Sequence, residues 1–136
     1  MQEHSVNFVA VLVAGAAYMM LGALWYSPML FGNAWMKAIG KTKEQIAADF
    51  TPMTYVWAFI GSFVAAYGIA RILHWMGGGA IKEGLMLGFL CGVCFVLTTT
   101  GINDLFERRP RGLTMMNVLY PIVGFLIIGV IVGAWQ

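Results

Sequence analysis

Residues able to bind a ligand gather at one end of the apolar runs of this 136-residue chain. Asn117 and Tyr120 are three residues apart and therefore share a face of any helix that contains both. Polar groups inside a membrane-spanning run usually face the bundle interior, because facing lipid is costly. The pattern predicts a polar, cytoplasm-facing cavity, with the candidate lining residues Trp25, Tyr26, Ser27, Thr99, Asn103, Asp104, Asn117 and Tyr120. The alternative is a set of interhelical hydrogen bonds beside an ordinary aromatic belt.

A second pattern that could take part in chemistry is C-x-x-C, formed by Cys91 and Cys94. In soluble redox proteins this spacing activates a thiol at a helix N-terminus, whereas thiols buried among apolar groups are inert. Because these cysteines lie in the middle of an apolar run, we expect two small buried side chains. A membrane oxidoreductase, or a metal or haem binder that uses these cysteines or His4 and His74, remains an alternative hypothesis.

No catalytic motif is present. The sequence has neither the H-E-x-x-H pattern of zinc proteases nor a phosphate-binding P-loop. We therefore expect no catalytic residues, no cofactor and no metal site, and an activity that is not enzymatic.

The composition indicates a lipid environment around the elements that carry these residues. Hydrophobic residues make up 60% of the chain and charged residues 10%, whereas about 25% is usual in soluble domains. A net charge of +2 is too small to favour nucleic acid as a partner.

Four apolar runs are each long enough to cross a bilayer, which takes about 20 residues. Each must be helical, because lipid cannot satisfy unpaired backbone groups. We predict an all-α, integral membrane four-helix bundle that forms one transmembrane domain over residues 1–136, with spans at about 6–26, 53–76, 80–103 and 113–135.

The first connection differs from the two short ones. Pro28 disfavours continuation of the first span, and the segment 42–50 has the features of a short amphipathic helix. Thr42 is a plausible N-cap, with Gln45 at the capping-box position. We therefore predict one or two short interfacial helices between spans one and two.

Basic residues predict the orientation. The first and third connections share one side of the membrane and carry six Lys and Arg residues, whereas the other side has Arg71 and Lys82. The positive-inside rule puts the six in the cytoplasm and both termini outside.

Small residues repeat at spacings of four on the spans, which lets helix backbones approach closely. Spans one and two offer Gly15, Gly22, Gly61 and Ala65, and the strongest repeats are Gly84, Gly88, Gly92, Gly129 and Gly133. Two interpretations stay open: internal packing of the bundle, or an interface for another protein chain.

The stretch LWYSPMLFGNAWMK, residues 24–37, is similar to the signature of the family known as domain of unknown function 1761. The residues that fit it are Asn7, Gly22, Leu24, Trp25, Tyr26, Ser27, Pro28, Phe31, Gly32, Ala34 and Trp35, with Leu105–Glu107, Asn117, Tyr120 and Trp135 downstream. Pro121 stands where the family pattern has a histidine. The resemblance implies a four-span protein of the bacterial inner membrane and implies no activity.

The leading functional hypothesis is a membrane protein that binds, or passes, an unidentified small molecule or lipid through the predicted cavity. Its expected partners are membrane lipids and further copies of itself, because four spans bury little surface. The alternatives are an accessory subunit that docks a partner through its glycine faces, and the redox or metal-binding protein described above.

Overall fold

The computed structural model describes residues 6–135. His4, one of the two histidines of the metal hypothesis, lies outside the described residues. Within them, the fold is helical, without strands, and four helical segments are long and apolar enough to span a membrane. This confirms the predicted all-α membrane bundle.

The helices follow one another along the chain with short connections. Span one is α1 (Phe8–Trp25), span two is α4 (Pro52–Trp75) and span four is α7 (Arg111–Ala134). Span three is a composite of α5 (Ile81–Cys91), a π-helical turn (Gly92–Leu97) and α6 (Thr98–Glu107). Two short helices, α2 (Gly32–Ile39) and α3 (Lys43–Asp49), connect spans one and two.

Local sequence signals explain where several helices start. The Asn7 side chain accepts hydrogen bonds from the backbone N–H groups of Val9 and Ala10 at the start of α1. The predicted capping box opens α3: Thr42 Oγ1 accepts from Gln45 N, at 3.2 Å, and Gln45 Oε1 accepts from Thr42 N, at 2.9 Å. Pro52 occupies the first position of α4, where a missing N–H costs little.

The turns that join spans two to three and three to four use left-handed backbone conformations. Gly77 and Gly78 have φ values of 95° and 77°, which glycine adopts without steric cost. Arg108, at φ 55°, ends α6. Span three therefore continues to Glu107, four residues beyond the predicted end at Asn103.

Span three packs on α7 through glycines. A Cβ atom at Gly84 would collide with the backbone carbonyl of Gly129, and a Cβ at Gly129 would collide with that of Gly84. The same contact recurs along the pair: Gly88 faces the Phe125 carbonyl, Gly92 the Ile122 backbone and Gly133 the Ala80 carbonyl. The five glycines thus bring two backbones of this chain together.

Spans one and two cross closely near the middle of both helices. A Cβ at Gly15 would lie 3.1 Å from Phe63 Cα. Beyond the crossing, the rings of Phe8 and Tyr67 stack with centroids 6.0 Å apart. The core of the bundle surrounds this region, with Val11, Ala14, Ala66, Leu73 and Ile128 nearly inaccessible to solvent.

Candidate functional site

An open cavity of about 750 Å³ lies between α1 and α4, from the middle of these helices to the end of the bundle opposite the Gly77–Gly79 turn. That opposite end, here called the basic end, carries Lys37, Lys41, Lys43, Arg108, Arg109 and Arg111. We call the cavity the α1–α4 cleft. Its volume is within the range typical of sites for small molecules.

The cleft is lined by five helices. The principal walls are α1 and α4, while Tyr120 and Phe125 of α7 form the third side. Across the basic end lie α2 and α3, which contribute Trp35, Met36, Lys43, Ile46 and Phe50. The two short helices thereby border the mouth of the cleft.

Small residues on the facing walls make room for the cleft. Gly22 and Ala23 lie on α1, and Ala58, Gly61 and Ala65 lie on α4. The space opposite Gly22 is filled, since a Cβ there would lie 2.5 Å from the Tyr120 hydroxyl oxygen. By contrast, a Cβ at Gly61 would meet no atom within 4 Å.

An aromatic junction closes the cleft on the α7 side. The rings of Tyr18 and Tyr120 stack with centroids 4.8 Å apart, and the ring of Tyr26 meets that of Tyr120 edge-on at 5.7 Å. The Tyr26 ring also contacts the Trp35 ring, at 5.1 Å. The junction therefore ties the end of α1 to both α7 and α2.

Three side chains at or beside this junction donate hydrogen bonds within the protein. Tyr26 donates to Asn117 Oδ1 at 2.8 Å, and Tyr120 donates to the Tyr18 carbonyl at 3.0 Å. Trp25 Nε1 donates to the Met116 carbonyl at 3.1 Å. Within residues 6–135, no buried side-chain nitrogen or oxygen lacks a hydrogen-bond partner.

Two serines near the cleft are also internally bonded. Ser27 Oγ donates to the Leu24 carbonyl at 2.6 Å, within the turn that ends α1. Ser62 Oγ donates to the Ala58 carbonyl at 2.9 Å. The wall therefore offers a ligand mainly apolar surface, not the polar lining expected from the sequence.

The predicted site residues of span three do not join the cleft. Thr99 and Asn103 are exposed, and Thr99 Oγ1 donates to the Phe95 carbonyl at 2.5 Å. Asp104 is buried, accepts from Thr114 Oγ1 at 2.6 Å and lies 3.8 Å from Arg109 Nε. Because span three packs chiefly on α7, its polar end stays away from the space between α1 and α4.

The π-helical turn has no obvious signal in the sequence. It begins directly after Cys91 and contains Cys94. Just beyond it, the Thr98 hydroxyl donates to the Cys94 carbonyl at 2.7 Å, which satisfies an acceptor in the irregular stretch. Cys91 is half-buried and Cys94 exposed, and the part of the chain that the structure describes holds no cluster of three or more His, Cys, Asp or Glu able to bind a metal ion.

Within residues 6–135, two of the six basic side chains at the basic end, Lys41 and Arg109, are paired with carboxylates. Lys41 Nζ lies 2.7 Å from Asp49 Oδ2. Arg109 Nε donates to Glu107 Oε2 at 2.7 Å, and this hydrogen bond raises the pKa of the Arg109 guanidinium. Lys43 lines the cleft and forms no ion pair within residues 6–135.

Sequence reasoning identified Tyr26 and Tyr120 but missed the other walls of the cleft. The available signal was the spacing of Ala58, Gly61 and Ala65, which puts small residues on one face of α4. Gly61 and Ala65 were interpreted as packing residues. Small residues on one helix face allow either a close contact with another backbone or a cavity between the helices. The spacing of the small residues is the same in both cases, so it does not distinguish them.

Comparison with known proteins gives a family and no individual relative. No curated protein and no solved structure was found to match the chain. A family model, described as "Protein of unknown function (DUF1761)", matches residues 9–133. The chain, a membrane protein with four apolar spans, therefore belongs to the DUF1761 family.

Proposed function

We propose that this protein binds an acyl chain of a membrane amphiphile in the α1–α4 cleft. The observation that carries the proposal is an apolar cavity of about 750 Å³ between two membrane spans. Sites for small molecules are typically concave and mostly apolar. An acyl chain suits this site because its surroundings are already lipid.

The depth of the cleft supports a chain from one leaflet. On α4, the lining residues run from Thr54 to Ala65, which is about 16 Å along a helix that rises 1.5 Å per residue. Half of a hydrocarbon core of about 30 Å is about 15 Å. The cleft therefore extends from the level of the headgroups to the middle of the bilayer.

The bonding of the wall also favours an apolar occupant. Tyr26 and Tyr120 already donate their hydroxyl protons within the protein. A ligand that accepts a hydrogen bond from either hydroxyl would have to displace these bonds, and leaving a buried group unpaired costs about 1–3 kcal/mol. An acyl chain leaves the bonds in place.

Binding has more support than passage across the membrane. On α1 the lining residues stop at Tyr18, about one turn before the close contact of Gly15 with the Phe63 backbone. The stacked rings of Phe8 and Tyr67 lie beyond that contact. A translocation path would have to continue through these contacts. We therefore propose a binding protein of the bacterial inner membrane whose cleft faces the cytoplasmic leaflet, in the orientation that the basic residues favour.

The two alternatives from the sequence have less support. The glycines of the strongest repeats, Gly84, Gly88, Gly92, Gly129 and Gly133, already contact backbone of the same chain. For the redox hypothesis, Cys94 is exposed on a membrane span and the described residues supply no metal-binding cluster beside it. No further observation favours either role.

Obstruction of the cleft tests the proposal. Gly61→Phe adds a large ring to a lining position where no atom lies within 4 Å of the new Cβ. We expect it to reduce the amount of phospholipid retained on purified protein about tenfold, a loss of about 1.4 kcal/mol in affinity. The measurement is native mass spectrometry after equilibration with phosphatidylglycerol and removal of excess lipid.

Gly68→Phe is the matched control. Gly68 is on the same helix, its Cβ position is equally free within 4 Å, and it does not line the cleft. Both variants should keep the wild-type helical content by circular dichroism. Equal retention of lipid by wild type, Gly61→Phe and Gly68→Phe would contradict acyl-chain binding in this cleft.

A further inference from the structure

The charge at the mouth of the cleft points to the chemistry of the headgroup. Lys43 is the one charged side chain that lines the cleft among the described residues. We propose that the ligand is an anionic phospholipid whose phosphate pairs with the Lys43 ammonium. This inference rests on the proposed acyl-chain site and names its ligand class.

The surrounding charges leave Lys43 available. Lys41, two residues earlier, is paired with Asp49 at 2.7 Å. No carboxylate of the described residues lies within ion-pair distance of Lys43. Among the described residues, no acidic side chain lines the cleft. The carboxylates nearest in sequence are Glu44, outside the lining, and Asp49, which is paired with Lys41.

The position of Lys43 matches the level of a headgroup. It is the first residue of α3, and the apolar residues Ile46 and Phe50 lie on the cleft side of that helix and its end. A lysine side chain can lay its apolar stem along such a surface while its charged end remains in the polar layer. Its ammonium would then lie at the mouth while the acyl chain fills the interior.

The chemistry of lysine favours a phosphate partner. An ammonium is a compact point charge that binds phosphate without the planar geometry that arginine requires. A free fatty acid would offer a carboxylate on a similar chain. A phospholipid is the favoured ligand because the cleft lies between lipid-facing spans, where the bilayer itself supplies it.

Competition between two lipids that differ only in headgroup tests the inference. Purified protein is equilibrated with equal amounts of phosphatidylglycerol and phosphatidylcholine that carry the same acyl chains, and bound lipid is quantified by native mass spectrometry. A basic residue near anionic lipid contributes about 1 kcal/mol of attraction, which corresponds to about a fivefold preference for the anionic lipid. We expect that preference for phosphatidylglycerol in the wild type and its loss in Lys43→Gln.

Lys37→Gln is the control, because Lys37 is in the same connection and does not line the cleft. It should retain the wild-type preference. If Lys43→Gln also retains it, or if the wild type has none, the headgroup inference is wrong. A third arm adds oleate: if oleate displaces phosphatidylglycerol at equal concentration, the ligand is a fatty acid and the phospholipid assignment fails.

The Gly61→Phe variant separates failure of this inference from failure of the acyl-chain site. If Gly61→Phe lowers retention of both lipids while Lys43→Gln leaves their ratio unchanged, the cleft binds acyl chains without selectivity for the headgroup. If the wild type retains neither lipid, both proposals fail. Circular dichroism of each variant checks that the fold is intact.

Discussion

At the scale of single residues, Tyr26 joins the end of α1 to α7. Its hydroxyl donates to Asn117 Oδ1 at 2.8 Å, while its ring contacts Trp35 and Tyr120. Tyr26→Phe removes the hydrogen bond and keeps the ring. We expect the free energy of unfolding to fall by about 1 kcal/mol, a usual value for an interhelical hydrogen bond in a membrane protein, measured by titration with a denaturing detergent.

A double-mutant cycle with Asn117→Leu isolates this bond from the packing of the two residues. If the bond stabilises the junction, the losses in the single variants should sum to more than the loss in the double variant. Strictly additive losses would contradict the assigned role of the Tyr26–Asn117 bond.

The same residues illustrate what sequence reasoning can predict of a site. Tyr26, Asn117 and Tyr120 belong to spans that are in contact, and they meet. Thr99 and Asn103 lie at a similar level along span three yet remain exposed. Hydropathy predicts how deep in the membrane a residue lies. The direction that its side chain faces depends on which helices pack against its own. That choice of neighbours is decided by the shapes of whole helix surfaces, which the hydropathy pattern does not contain.

At the scale of elements, the contact between α5 and α7 depends on the absence of side chains. The Gly84 and Gly129 backbones face each other so closely that a Cβ on either would collide with the other. Gly84→Leu must therefore push the helices apart. We expect a loss of at least about 2 kcal/mol in the free energy of unfolding, within the range typical of overpacked cores, from the same detergent titration.

Gly101→Leu is the matched control for this prediction. Gly101 is in the same membrane span, and a Cβ there would meet no atom within 4 Å. This substitution should leave stability nearly unchanged or raise it slightly, because leucine favours a helix more than glycine does. Similar losses in the two variants would contradict the close-contact explanation.

Elements were more predictable than their contacts. The four spans follow from apolar runs of sufficient length, and α3 follows from the capping box of Thr42 and Gln45. The π-helical turn at Gly92–Leu97 was not predicted. A π-helical turn is a shift of one residue in backbone hydrogen bonding, which changes neither the length nor the hydropathy of the span.

At the scale of the whole molecule, the position of the cleft depends on the orientation of the bundle. We expect the basic end to lie in the cytoplasm. In a Cys91→Ala, Cys94→Ala background, Lys82→Cys should react with a membrane-impermeant maleimide added to intact cells. Lys37→Cys should react only after the membrane is permeabilised, and the reverse pattern would contradict the proposed leaflet.

The molecular surface fits a lipid environment but does not identify a protein partner. Large apolar side chains such as Trp57, Phe95 and Phe106 are 66%, 66% and 86% exposed. The glycines of the strongest repeats, Gly84, Gly88, Gly92, Gly129 and Gly133, contact backbone of the same chain. A homo-oligomer therefore stays a prediction, and one that the acyl-chain site does not require.

The central claim, an acyl chain inside the α1–α4 cleft, is tested most directly by nuclear Overhauser effects between lipid and protein. The protein carries protonated alanine methyl groups in an otherwise deuterated background, with deuterated detergent and protonated phosphatidylglycerol. We predict cross-peaks from the chain methylenes to the methyl group of Ala65, which lines the cleft and is half-buried. Cross-peaks confined to exposed methyl groups such as that of Ala134, with none at Ala65, would contradict acyl-chain binding in the cleft.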